Sequence, residues 1–221
     1  MDSSTRIKLP GDKMWEALAC DPGIGCTILD GEGTIHCINA TAAELFLQMR
    51  PEAVRGKKLS DVLPDRWTRE RLEVFDQILV TKKPVILRYI RHGRQLQTTF
   101  RLLDRDDHGK PRFIAVTTAG EQDPISCPEN FEIRESGHTD LGRLDVLTRR
   151  ELEVLALIKQ GMTLDQIARS LHRSPKTIEK HRHSIGKKLK ESSRVKLAQL
   201  AERAGLVMHD AELMRARVQV A

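Results

Sequence analysis

The sequence predicts an α+β chain in two parts, a five-stranded antiparallel sheet with helices followed by an all-α unit of four helices. Three observations carry this. Leu96, Thr98, Phe100 and Leu102 alternate with Gln95, Gln97, Thr99 and Arg101, the pattern of a strand with one wet and one buried face. Beyond residue 147 apolar residues recur at helical spacing behind capping signatures. Between Thr118 and Asp145 periodicity lapses into a stretch holding Gly120, Pro124, Ser126, Pro128, Gly137 and Gly142. Residues 12–120 are therefore expected as one domain, 121–140 as a linker, 141–206 as a second domain and 207–221 as a tail. A chain of 221 residues has room for two domains of about 100 residues each.

The first domain opens with a helix over Asp12 to Cys20, with Trp15 and Leu18 on its apolar stripe. Two short strands follow, Cys26 to Leu29 and Thr34 to Ile38, and the glycines of Asp30-Gly31-Glu32-Gly33 suit the turn between them. Asn39 or Thr41 can cap a helix that buries Leu45 and Phe46. Two more helices are expected over Leu59 to Leu63 and Thr68 to Thr81, the second with Leu72, Phe75, Ile78 and Leu79 at helical spacing, and Pro84 ends this block. Strands then run over Val85 to Arg91, Gln95 to Leu103 and Phe113 to Thr118, with a turn at His92-Gly93.

This order of elements, with Ile24-Gly25-Cys26-Thr27-Ile28-Leu29-Asp30 and Ile38-Asn39-Ala40-Thr41-Ala42-Ala43-Glu44, resembles the PAS domain family over residues 12–120. The resemblance implies a sensor or dimerisation module. Neither haem nor flavin is expected as a cofactor. Residues 68–81 contain no His for an axial ligand, and residues 59–81 no Cys for a flavin adduct. A small apolar pocket or a filled core is expected instead, with subunits pairing through the first helix.

Charge is unevenly spread. Residues 141–206 hold 15 Lys and Arg against 7 Asp and Glu, whereas residues 1–140 hold 20 against 22. So basic a segment suggests a polyanionic partner, and a merely solvated helical surface is the plain alternative. Helix boundaries sharpen the choice. Thr148-x-x-Glu151 and Thr163-x-x-Gln166 are capping boxes, Ser174 caps a helix with Pro175 at its first position, Ser193 caps a fourth, and Gly161 and Gly205 fall at helix ends. The expected core takes Leu147, Val154, Leu155 and Ile158 from the first helix and Leu164, Ile167, Ala168 and Leu171 from the second. Ile178, Ile185 and Leu189 come from the third, and Leu197, Leu200, Ala201 and Ala204 from the fourth. Only Leu171 to Ser174 separate the second and third helices, which suits the crossed pair of a helix-turn-helix. From Arg173 to Lys190 the third helix carries seven Lys and Arg against Glu179. An exposed cationic helix fits the major groove of DNA, about 12 Å wide.

Leu147-Thr148-Arg149-Arg150-Glu151-Leu152-Glu153-Val154-Leu155, Thr177-Ile178-Glu179-Lys180-His181-Arg182 and Lys187-Lys188-Leu189, with Gly161, Ile167-Ala168, Leu171 and Ser174, resemble the LuxR-type DNA-binding domain over residues 141–206. The resemblance implies that Glu179, Lys180 and His183 face bases. It places Lys176, Thr177, His181, Arg182, Lys187 and Lys188 at or near phosphates, with some turned against the first helix. Plainer roles stay open: Thr177 bonded within its turn, His181 packed, Glu179 solvated. Gly186 departs from the pattern, which usually has a larger apolar residue there. Leu197, Leu200 and Ala201 could pair two domains or serve their own core. The implied partners are double-stranded DNA and a second copy of the chain, and a contact with RNA polymerase is compatible with that role.

Other classes are disfavoured. There is no G-x-S-x-G elbow, glycine-rich phosphate loop or paired-carboxylate cleft, so no catalytic residues are expected. No metal site is expected either: Cys20, Cys26, Cys37 and Cys127 form no C-x-x-C, and His181 and His183 point apart on a helix. No apolar run nears the ~18 residues of a membrane span, and the amino terminus has no secretory signal, so a cytoplasmic location is expected. The alternatives to a transcriptional regulator are a PAS interaction adaptor and a sigma-factor-like promoter subunit.

Overall fold

The hairpin expected around Asp30 is present, β1 (Gly25–Asp30) pairing antiparallel with β2 (Ile35–Ile38). Asp30 Oδ1 accepts from the amides of Glu32 and Thr34, both at 2.9 Å, and fixes the turn. The computed structural model describes residues 16–17, 20–120 and 130–215, so Trp15, Leu18 and Cys127 lie outside the described residues.

Asn39 caps α1 (Ala40–Ala42), its Oδ1 accepting from Ala42 N at 2.8 Å and from Cys26 N at 2.9 Å. The helix widens into a π turn (Ala43–Leu47) that ends at Gln48. Short helices α2 (Pro51–Val54) and α3 (Leu59–Val62) lead to α4 (Asp65–Thr81). Pro64 starts α4 one turn earlier than the apolar spacing predicts, and that turn carries the fully buried Trp67. Then come β3 (Val85–Arg91), β4 (Arg94–Arg105) and β5 (Pro111–Ala119). His92 and Gly93, both at positive φ, make the two-residue turn joining β3 to β4.

The sheet has six strands, not five, in the order β2-β1-β5-β4-β3-β6. The extra strand, β6 (Glu132–Glu135), comes from the segment expected as linker and runs parallel to β3, from Val85↔Glu132 to Arg88↔Glu135. It pairs backbone groups of β3 that an edge strand would leave open. Its sequence, Glu-Ile-Arg-Glu, has one apolar residue among three charges and therefore no strand signature. Leu29, Trp67, Phe75, Tyr89, Phe100 and Phe113 form the centre of the core between sheet and helices, with Phe75 stacked on Phe113 at 4.3 Å.

A tight junction follows. Gly93 N donates to Asp140 O and Asp140 N to Ile90 O, both at 3.0 Å, and Gly142 packs so close to His92 that a Cβ there would lie 2.8 Å from the His92 carbonyl carbon. After β7 (His138–Thr139) and a 3₁₀ turn (Gly142–Val146) come α5 (Arg149–Lys159), α6 (Leu164–Ser170), α7 (Pro175–Leu189) and α8 (Arg194–Arg203). A second 3₁₀ turn (Met208–Ala211) precedes β8 (Met214–Arg215), which pairs with β7. Residues 151–158 of α5 are all buried, because the other helices surround it, and Ile90 of β3 joins their core.

Candidate nucleic-acid interface

Local chemistry sets α7. Both capping boxes form, Thr148 with Glu151 and Thr163 with Gln166, and Ser174 Oγ accepts from Thr177 N at 3.2 Å ahead of Pro175. The turn before α7 has no glycine. His172 takes the left-handed conformation (φ 51°), and Arg173 N returns to Ala168 O at 2.9 Å to close α6.

Ile178, Ile185 and Leu189 lie in the core. Lys176, Lys180, His183 and Lys187 follow one another at i, i+4, i+7 and i+11, a stripe on the opposite side of the helix. All four are exposed, as is Glu179, and with Arg182 and Ser184 they line an open surface groove. The three residues expected to meet bases, Glu179, Lys180 and His183, thus share one solvent face. His181 and Arg182 are half-buried flankers. Thr177 is bonded to Ser174 across the helix start, hydroxyl to hydroxyl at 2.8 Å.

Lys188, though exposed, reaches across to α5. Its ammonium lies 2.6 Å from Glu151 Oε2, and Ser184 Oγ donates to Glu151 Oε1 at 2.7 Å. Glu151 thereby clamps α5 to α7 while its Oε2 also accepts from Thr148 N at 2.7 Å and its own amide donates to Thr148 Oγ1 at 3.3 Å to complete the capping box. Burial alone would raise the Glu151 carboxyl, but hydrogen bonds from Lys188, Ser184 and Thr148 outweigh it and hold the group at about 2. Arg150 Nη2 donates to Leu171 O at 2.8 Å, fastening the C-cap of α6 to α5, and Arg143 Nη2 donates to Leu189 O at 3.2 Å, tying the last residue of α7 to the preceding 3₁₀ turn. The capping box revealed one of Glu151's roles in the sequence. The clamp, between residues 37 apart, had no local signal.

Gly186 has a structural reason. Lys190 ends α7 at φ 54°, Glu191 N returns to Gly186 O at 2.9 Å, and a Cβ on Gly186 would meet the Glu191 carbonyl oxygen at 2.9 Å. On α8, Leu197 and Ala201 are fully buried in the domain's own core, and Val195 and half-buried Leu200 remain toward solvent.

Residues 145–201 match the family described as bacterial regulatory proteins, luxR family, and residues 23–119 match the PAS fold. The chain joins a PAS fold to a LuxR-family helix-turn-helix domain. The LuxR-type part is 46% identical over 57 residues to the transcriptional regulatory protein UhpA of Escherichia coli, covering 26% of this chain and 29% of that one. It is 34% identical over 83 residues to the virulence factors putative positive transcription regulator BvgA of Bordetella pertussis, covering 38% of this chain and 40% of that one. The alignments therefore span well under half of these relatives. Among solved structures, a Vibrio cholera VqmA–ligand–DNA complex superposes with a TM-score of 0.49 at 20% identity, over 90% of this chain and 91% of that one. The LuxR family is one of transcription regulators rather than an enzyme class. Among the described residues no helix is long and apolar enough to cross a membrane, and no group of three or more His, Cys, Asp or Glu is placed to hold a metal.

Proposed function

We propose that the chain is a sequence-specific DNA-binding transcriptional regulator that acts as a homodimer, with α7 entering the major groove and the PAS half supplying signal input or pairing of subunits. The observation that carries this is the exposed stripe Lys176, Lys180, His183, Lys187 on a helix whose opposite stripe is locked in the core. Glu179, Lys180 and His183 read base edges. Lys176, Thr177, His181, Arg182 and Lys187 approach phosphates, whereas Lys188 spends its charge on Glu151. Such a dimer sets two α7 helices about one DNA turn apart, roughly 34 Å, and favours an inverted repeat.

Selection of duplexes bound by the full chain from a random pool tests this. Enrichment of an inverted repeat with half-sites about one turn apart is expected, and a pool left unenriched speaks for the adaptor alternative. The PAS half is proposed to work without haem or flavin, so the purified protein is expected to show no absorbance band between roughly 350 and 500 nm, where both absorb.

A further inference from the structure

Arg71, in the middle of α4, is 2% exposed. Its Nη1 donates to Trp67 O at 3.1 Å and lies 3.5 Å from Glu70 Oε2. Glu70 is otherwise engaged, accepting from Ser136 Oγ at 2.8 Å and Gly137 N at 3.0 Å, so Arg71 has only a shared counter-ion. Neighbouring Arg91 lies 3.6 Å from a different carboxylate, Asp140, which it shares with His92 and Gly142. Arg71 Nε and Nη2 make no hydrogen bond of good geometry among the described residues, the Tyr89 hydroxyl being the polar side-chain group near enough, besides Glu70, to favour the charged guanidinium. These two donors form one edge of the guanidinium, the edge that takes a carboxylate through two parallel hydrogen bonds. The rings of Phe46, Trp67 and Tyr89 stand 4.5–4.9 Å from the guanidinium carbon and hold the group in place.

Arg71 lines a cavity of about 30 Å³ whose other walls are largely apolar, Leu29 and Phe100 among them. Tyr89, Thr98 and Thr117 add a row of hydroxyls, linked at 2.7 and 2.8 Å. Two hydrogen bonds among three hydroxyls leave one O–H proton uncommitted within the row. We propose that this cavity is a binding site for a small carboxylate with a compact apolar body, its two oxygens held by Nε and Nη2 of Arg71. The free volume is that of one or two waters, so entry requires Phe46 and Leu47 to move outward. Both sit on the π turn, a segment type frequent at functional sites. The assignment stands independently of DNA binding.

Calorimetric and thermal-unfolding titrations of the full chain test it with benzoate, phenylacetate and isovalerate, each beside its neutral amide at matched ionic strength. At least one acid is expected to bind one to one, about tenfold or more tighter than its amide, and to raise the unfolding temperature. Arg71→Met is expected to fold and lose that preference, and Arg71→Lys, which keeps the charge without the fork, to lose most of it. If Arg71→Met fails to fold, Arg71→Lys and the wild-type acid-to-amide ratio still decide. Acids that bind no better than amides, or a preference that survives in both variants, would overturn the proposal.

Discussion

Glu151 shows how one side chain can tie two helices, α5 and α7, together. Its carboxyl is held at about 2 against an ordinary 4.5. Because the folded value lies below the unfolded one, the native state binds fewer protons between them. The stabilisation is present above about pH 4.5 and is lost as pH falls toward 2. Glu151→Gln is expected to cost about 1–3 kcal/mol at neutral pH and to flatten the acid side of the stability profile, read by urea unfolding across pH. A variant as acid-sensitive as the wild type would contradict the clamp. At the turn into α7, His172 sits at φ 51°, where glycine is less strained, so His172→Gly should stabilise by about 0.5–1 kcal/mol. The caps at Thr148, Thr163 and Ser174 were legible in the sequence because their chemistry spans three residues. Arg71 was not, since a lone arginine on an amphipathic helix looks the same whether it meets water or, as here, three aromatic rings.

Among the elements, α7 owes its end to Gly186. Alanine would gain about 1 kcal/mol of helix propensity but would press on the Glu191 carbonyl oxygen at 2.9 Å, and that oxygen belongs to backbone. Gly186→Ala is therefore expected to lower stability by about 1–2 kcal/mol in urea unfolding, and a net gain would show that the chain end moves freely. The sequence showed Gly186 only as a departure from a family pattern, because the contact depends on how the chain turns after the helix. β6 was illegible for a similar reason. Its pairing is dictated by the open edge of β3 and by Glu70, which fastens Ser136 and Gly137 behind it. Removing that fastening by Glu70→Ala should speed amide exchange over residues 132–137 by at least tenfold while β4 and β5 stay protected. Unchanged exchange would mean that the β3 ladder alone holds the strand.

On the scale of the molecule, part of the charge excess of residues 141–206, Lys176, Lys180 and Lys187, stands on the solvent face of one helix whose opposite face is held in the core. The fold class could be read beforehand, and the exposed stripe follows once Ile178 and Ile185 are placed in the core, since helical spacing fixes which residues oppose them. The ion pair of Lys188 could not be read, because it depends on Glu151 arriving from another helix. This gives two adjacent lysines different contacts. A dimer engaging Lys176, Arg182 and Lys187 from each subunit should bind its selected duplex with a log–log salt slope of about −5. The most direct test is an anisotropy titration of the full chain on that duplex over a salt series, for wild type, Lys187→Ala and Lys188→Ala. The slope is expected to shrink by about 2 in Lys187→Ala and to stay at the wild-type value in Lys188→Ala, whose loss should appear in stability instead. A wild-type slope near zero, or an unchanged slope in Lys187→Ala, would contradict the assignment of α7 as the DNA-binding helix.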